Sequence, residues 1–312
     1  MKNPHNHVFL GAQHAENERR TWWVVGFCAA TMAAEMVGGA IFGSIALIAD
    51  GLHMATHVGA LLLAALAYRF ARRHLADPRF VFGTGKFGDL AGFSSAIVLA
   101  MIAALIAWDA VARLAQPVAI EFRAAIPLAV LGLAVNIASV ALLGSGHDPA
   151  HEHAHDHAHD HAHDHAHHHA QGRDNNMRAA RAHVLADASV SLLVILGLSG
   201  ARWLGWVWLD PVMALIGAGV IVSWSWILLR SAGAVLLDMA PDDQVAERIR
   251  RSLEQDGARI LDLHVWRVGP GHLSAVVSVA ADAPRSLAEY RARLAEVEGL
   301  SHLTIEIAPL PA

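Results

Sequence analysis

Six stretches of the chain, at about residues 22–41, 44–68, 90–114, 125–143, 178–206 and 211–229, are predominantly apolar and carry few charges. A helix needs ~20 such residues to cross the hydrocarbon of a bilayer, so each stretch is predicted to be a transmembrane helix. Only Gly38, Gly39, Gly43 and Ser44 separate the first two. From about Pro241 the pattern changes. Residues 242–255 read as an amphipathic helix whose Arg248, Arg250 and Arg251 form a solvated face. Residues 260–268 and 273–279 alternate apolar and polar positions, as half-buried strands do, around the turn formers Gly269, Pro270 and Gly271. Residues 286–297 read as a second helix and 303–307 as a last short strand.

The expected architecture is an α-helical membrane protein in three parts. A polar N-terminal segment (1–20) leads into a six-helix transmembrane domain (21–240), and a C-terminal domain (241–312) follows. The order αββαβ in the last part suits a small, ferredoxin-like α+β sandwich with its helices on one face of the sheet. Composition agrees. Hydrophobic residues make up 55% of the chain and charged residues 16%, against about a quarter in soluble domains. That argues against a soluble enzyme and a disordered chain, and Cys28, the only cysteine, excludes a disulfide scaffold. A net charge of −5 gives no reason to expect nucleic acid as a partner.

Charge placement sets the expected orientation. If both ends lie on one side, that side receives Lys2, Arg19, Arg20, Arg69, Arg72, Arg73, Arg79, Lys86, Arg173, Arg178 and Arg181. The other side receives Arg113, Arg123 and Arg202. Basic residues favour the cytoplasmic side, so both termini are expected there. The first twenty residues are polar, with His5, His7, His14, Glu16 and Glu18, and do not read as a signal peptide.

Histidine is the unusual residue, at 22. Twelve fall within residues 147–169, where His151, His153, His155, His157, His159, His161, His163, His165 and His167 alternate with Ala and with Asp156, Asp160 and Asp164. Such a tract has nothing to bury and is expected to be disordered, in the cytoplasmic loop between the fourth and fifth spans. Its expected role is weak metal buffering at the entrance; a solubilising linker is the alternative.

Ionisable groups in a bilayer cost ~2.5–3.5 kcal/mol each even on a lenient scale, so those present need partners. The second span holds His53 and His57, and the fifth holds His183 and Asp187. Both pairs are four residues apart, which places each pair on one helix face. Two such faces turned together offer three imidazoles and one carboxylate, a tetrahedral set for a borderline dication such as Zn²⁺, Co²⁺ or Ni²⁺. Hydrogen-bonded packing is the bland alternative for any one of these histidines. Asp50 could orient His53 from the second shell, or simply bind water near the helix entry. Glu35 and Asp109 are acidic candidates for a proton or hydration path, with structural roles equally open. Asn136 and Ser139 read as interhelical hydrogen bonds. In the C-terminal domain, His264 and His302 could join His272 or Asp238 in regulatory metal sites at a dimer interface; buried strand histidines are the rival.

The stretch Gly43-Ser44-Ile45-Ala46-Leu47-Ile48-Ala49-Asp50-Gly51-Leu52-His53 resembles the second-span signature of the cation diffusion facilitator family, and His183-Val184-Leu185-Ala186-Asp187 its fifth-span counterpart. Asp262-Leu263-His264-Val265-Trp266 and His302-Leu303-Thr304-Ile305-Glu306 are similar to motifs of its cytoplasmic domain. Zinc transporters of the family usually end the second-span pair with Asp, where this chain has His57. Phe82-Gly83-Thr84-Gly85-Lys86 also stands in place of the family's Tyr-Gly-x-x-Arg, and Gly88 where Glu is usual. With the leading His5-Asn6-His7, these features resemble the DmeF-like branch of bacterial cobalt and nickel exporters. The resemblance implies a homodimer, joined through its soluble domains, that exports Co²⁺ or Ni²⁺ across the inner membrane. Zinc or cadmium export is the alternative, and a membrane-anchored metal buffer a more distant one. The expected mechanism is exchange: cytoplasmic metal binds His53, His57, His183 and Asp187, the helices rock, and protons displace it on the far side. Imidazole titrates near pH ~6.5, within reach of such competition. No phosphate-binding loop points to ATP, and no His-Glu-x-x-His helix to a hydrolase.

Overall fold

The computed structural model describes residues 9–11, 13–42, 45–116, 122–144, 174–241, 243–254, 258–281 and 284–308. The histidine tract 147–169 lies outside them. Six long helices come first: α1 (His14–Phe42), α2 (Ile45–Arg73), α3 (Phe87–Ala115), α4 (Phe122–Gly144), α5 (Asn175–Leu204) and α6 (Leu209–Leu236). Among the described residues, four stretches are long and apolar enough to cross a membrane: α3, Ala125–Leu143 of α4, α5 and α6. Their outer faces expose Met101, Leu105, Trp108 and Trp226, as suits contact with lipid rather than water. Trp203, Trp206 and Trp208 gather at the α5–α6 turn, the place where amphipathic rings meet headgroups.

The helices pack through small residues. Ala64, Ala65, Ala96, Ala103, Ala179 and Ala186 are fully buried or nearly so, which lets backbones approach closely where lipid offers no hydrophobic drive for association. Gly92 of α3 is one such close approach: an added Cβ would lie 3.0 Å from the Asn175 carbonyl oxygen at the start of α5.

Several helices start well before the apolar stretch that marks them in the sequence. α1 begins at His14 rather than near Trp22, and its first turns bury Asn17, Glu18 and Thr21 against protein. α5 begins at Asn175 because the Asp174 carboxylate accepts hydrogen bonds from the Asn176 and Met177 backbone N–H groups, satisfying donors that a helix N-terminus leaves open.

The C-terminal domain follows the expected order: α7 (Asp243–Glu254), β1 (Arg259–Gly269), β2 (His272–Ala280), α8 (Leu287–Leu294) and β3 (Leu300–Ala308). β2 is central, antiparallel to β1 and parallel to β3. Val245, Ile249 and Leu253 recur every four residues along α7 and pack with Tyr290 and Leu294 of α8 on Val277 and Val279 of the sheet. Ser286 and Glu289 close α8 with a reciprocal capping box.

Two contacts seat this domain on the helices. The Phe82 ring, in the α2–α3 loop, meets Trp266 and His302 edge-on at 5.6 Å each. Beside it the chain start threads a seam: Phe9 is buried, and its carbonyl lies where a Cβ on Gly269 would be 2.0 Å away. Gly85 is equally tight, with a Cβ placed 2.3 Å from the Val268 carbonyl oxygen. Gly269→Ala should therefore expel residues 9–11 from the seam. Hydrogen exchange is expected to rise there and in the β1–β2 turn; unchanged exchange would show that the seam tolerates the methyl group.

Candidate metal centre

Three of the four side chains expected to face one another do so. His57 on α2 and His183 and Asp187 on α5 present one ligand atom each, all within 4.8 Å of one another. His57 Nδ1 lies 2.9 Å from His183 Nε2 and 2.7 Å from Asp187 Oδ2, and His183 Nε2 is 3.8 Å from the same oxygen. The fourth, His53, sits on α2 one turn before His57, but its side chain, like those of Asp50 and Glu35, is outside the described residues.

The helical repeat produces this convergence. His183 and Asp187 share a face of α5 because they are four apart, and α2 crosses that face at His57. His57 and His183 are buried, and their rings meet at 61° with centroids 5.0 Å apart. Three donor atoms from two separate helices thus lie close together, with one carboxylate among them. A dication there would leave a formal charge of about +1, which favours a site with access to water over a dry one.

Such access exists. A cavity of about 650 Å³ contains the triad and runs between α3, α4, α5 and α6 to Asp109, Arg113 and Asp210, at the end away from the C-terminal domain. Arg113 Nε donates to Asp109 at 2.7 Å. Asn136 lines this cavity. Ser139 instead donates to the Val135 carbonyl and meets Cys28 Sγ of α1 at 3.5 Å.

The candidates in the C-terminal domain have separate partners. His264 Nε2 is 2.8 Å from Asp262 Oδ2 at the surface. His272 bridges Ser301 Oγ at 2.7 Å and the Leu10 carbonyl at 3.3 Å. His302 meets Phe82, and Asp238, at a positive φ of 55° just past α6, accepts from Lys86 Nζ. Among the described residues, the group of three or more metal-binding side chains is the triad on α2 and α5.

Comparison with known proteins decides the family. Residues 22–237 match the cation efflux transmembrane domain. The chain belongs to the cation efflux family. Its members are membrane transporters, not enzymes, and this chain is accordingly a multi-pass divalent-cation efflux protein. It is 33% identical to the zinc transporter ZitB of Escherichia coli over 86% of this chain and 79% of that one. It is 32% identical to the metal cation efflux system protein CzcD of Cupriavidus metallidurans, over 96% and 92% of the two chains. A cadmium, cobalt and zinc/H(+)-K(+) antiporter of Bacillus velezensis is 24% identical over 97% and 91%. In this cation efflux protein the triad sits on the second and fifth of six long helices, inside the matched segment.

Two polar groups escape the sequence pattern, one lining this cavity and one at the start of α5. Asp210 stands just before the predicted sixth span, yet it lines the cavity. The run Asp174-Asn175-Asn176 lies outside the predicted fifth span, although it caps and begins α5. The signal for the second was an Asp followed by two more polar residues directly before an apolar helix, a common start pattern.

Proposed function

We propose that this protein exports zinc and related first-row dications from the cytoplasm in exchange for protons. Zinc stands ahead of the cobalt and nickel that the DmeF-like features put first. The observation that carries the reading is the meeting of His57 on one helix with His183 and Asp187 on another; His53 completes the set as its fourth ligand. Two helices that hold one ion between them can open to either side by changing their tilt, whereas a site built on one helix cannot. The zinc preference draws support from the similarity to ZitB, a zinc transporter, and proton exchange from the antiporter of Bacillus velezensis. Both termini and the C-terminal domain are placed in the cytoplasm on the eleven-to-three distribution of basic residues, with a homodimer formed through that domain.

One observation favours a second reading. His57 stands where an oxygen donor is usual in zinc transporters of the family, and a nitrogen-rich set suits Co²⁺ and Ni²⁺ well. Uptake of Zn²⁺, Cd²⁺, Co²⁺, Ni²⁺ and Mn²⁺ into inverted vesicles at a fixed pH gradient separates the two. Zinc is expected to show the highest kcat/KM, with alkalinisation of the lumen matching metal uptake. A cobalt or nickel preference would give the second reading precedence, and uptake without proton movement would overturn the exchange.

Deleting 147–169 is expected to raise the apparent KM severalfold while leaving kcat near its original value, because the tract raises local ligand density without forming the transport site. Loss of turnover in a folded deletion variant would contradict that role.

A further inference from the structure

Two cavities occupy opposite ends of the helical domain. The one described above holds the triad and reaches the far end. The other, of about 500 Å³, lies beside the C-terminal domain and is lined by His14, Tyr68, Asp174, Met177, Arg181 and His272, among others. No described residue lines both. Between them α2 and α5 are in contact through Leu61, Ala64, Ala180 and Val184, each at most 4% exposed. An ion moving from the domain-side cavity along α2 and α5 meets this layer before it reaches His57 and His183.

Polar bonds lock the domain-side edge of the layer. The Asp174 carboxylate does four things at once. Its Oδ1 accepts from the backbone N–H groups of Asn176 and Met177, at 3.1 and 3.2 Å. Its Oδ2 accepts from the Tyr68 hydroxyl of α2 at 2.5 Å and from Asn17 Nδ2 of α1 at 2.9 Å. One turn deeper, Asn176 Nδ2 donates to the Ala64 carbonyl oxygen of α2 at 2.9 Å. The Tyr68 carbonyl oxygen in turn faces His14 Nε2 at 3.0 Å. Thus the cap that starts the ligand-bearing α5 is also the group that binds the end of the ligand-bearing α2.

We infer that Asp174, with Tyr68 and Asn17, is the latch of the domain-side gate, holding α2 against the start of α5 while the metal site faces the far end. The inference rests on the proposed transport site, since a gate needs a site to guard. Its chemistry suits a reversible closure. A hydrogen bond to a carboxylate is strong enough to bias two states and weak enough to break in each cycle, and when α2 swings away water can take its place on both partners. Asp174 keeps its two backbone N–H groups in either state, so α5 need not fray when the latch opens.

Cysteine accessibility in sealed proteoliposomes tests this without any metal. In full-length protein carrying Cys28→Ser, one reporter is Ala180→Cys, in the closed layer, and the other Val194→Cys, in the far cavity. Each is labelled by a membrane-impermeant thiol reagent from its own side. Tyr68→Phe removes one latch bond with little change of shape, and Asn17→Ala removes the other. Each is expected to speed labelling at Ala180→Cys about tenfold, the scale of one hydrogen bond to a charged acceptor, and to slow labelling at Val194→Cys. The opposite signs are what a latch predicts; a residue that only stabilises the fold would speed both. Unchanged rates in both variants, or a rise at both reporters, would overturn the latch. The result is separable from the transport-site reading. If Asp187→Ala stops transport while the latch variants leave labelling unchanged, the latch alone fails; if the reciprocal shift appears while Asp187→Ala transports normally, the site assignment alone fails.

Discussion

Asp187→Ala should abolish metal-dependent proton flux in proteoliposomes, lowering kcat/KM by at least about a hundredfold. Losing a group that merely orients a ligand already costs roughly 10–100-fold, and among the described residues Asp187 is the carboxylate in direct reach of both histidines, at 2.7 and 3.8 Å. Without it, a dication would meet neutral imidazoles with its full charge unbalanced, half-way across a helical domain. Asp187→Asn keeps the shape and an oxygen donor but not the charge, so it should recover little of the activity. Flux measured with a pH-sensitive dye inside the vesicles checks both variants. Near-normal flux in Asp187→Ala would remove this residue from the path.

The second large effect concerns His57. His57→Ala should reduce transport of every metal by about the same factor as loss of a first ligand, because its Nδ1 is the atom nearest both partners on α5. His57→Asp is expected to behave differently. It restores an oxygen donor where zinc transporters of the family usually have one, and brings the formal charge of the occupied site from about +1 to about zero. Transport should survive, with the ratio of zinc or cadmium to cobalt and nickel rising severalfold, since the family's zinc transporters usually carry Asp at this position. Competition between labelled zinc and unlabelled cobalt in vesicles measures the ratio. A ratio unmoved by His57→Asp would mean that selectivity is set elsewhere.

Both predictions come from spacing that was visible in the sequence. His183 and Asp187 are four apart, and so are His53 and His57; a helix makes that spacing a shared face whatever surrounds it. Four of the predicted spans, in α3 to α6, were visible for a similar reason, as a bilayer sets a minimum apolar length. What the pattern could not give was where each helix starts. Hydropathy treats Asn17, Asn175 and Asn176 as residues for water, but all three are buried here, bonded to other helices. Asn175 Nδ2, for instance, donates to Asp89 of α3. The polar turns therefore belong to the packed domain, and the latch they form has no periodic signature.

In the C-terminal domain the alternation of residues 260–268 and 273–279 marked a hairpin, and the structure has it as β1 and β2. That β3 lies parallel to β2 depends on the crossover through α8, which no local pattern encodes. The chain start is a further case. Phe9 belongs to a run of three apolar residues, too short to predict an element, in a polar segment, yet it is buried in the seam between the α2–α3 loop and the hairpin, against two glycines far away in sequence.

The central claim is that one dication is held jointly by α2 and α5. X-ray absorption at the zinc edge tests it most directly, using protein that lacks residues 147–169 and is loaded with one equivalent of metal. Nitrogen and oxygen ligands at about 2.0–2.1 Å are expected, with the outer scattering of imidazole rings. In His57→Ala and in His183→Ala the imidazole contribution should each time fall by about one ring. Spectra that stay the same in both variants would contradict the claim.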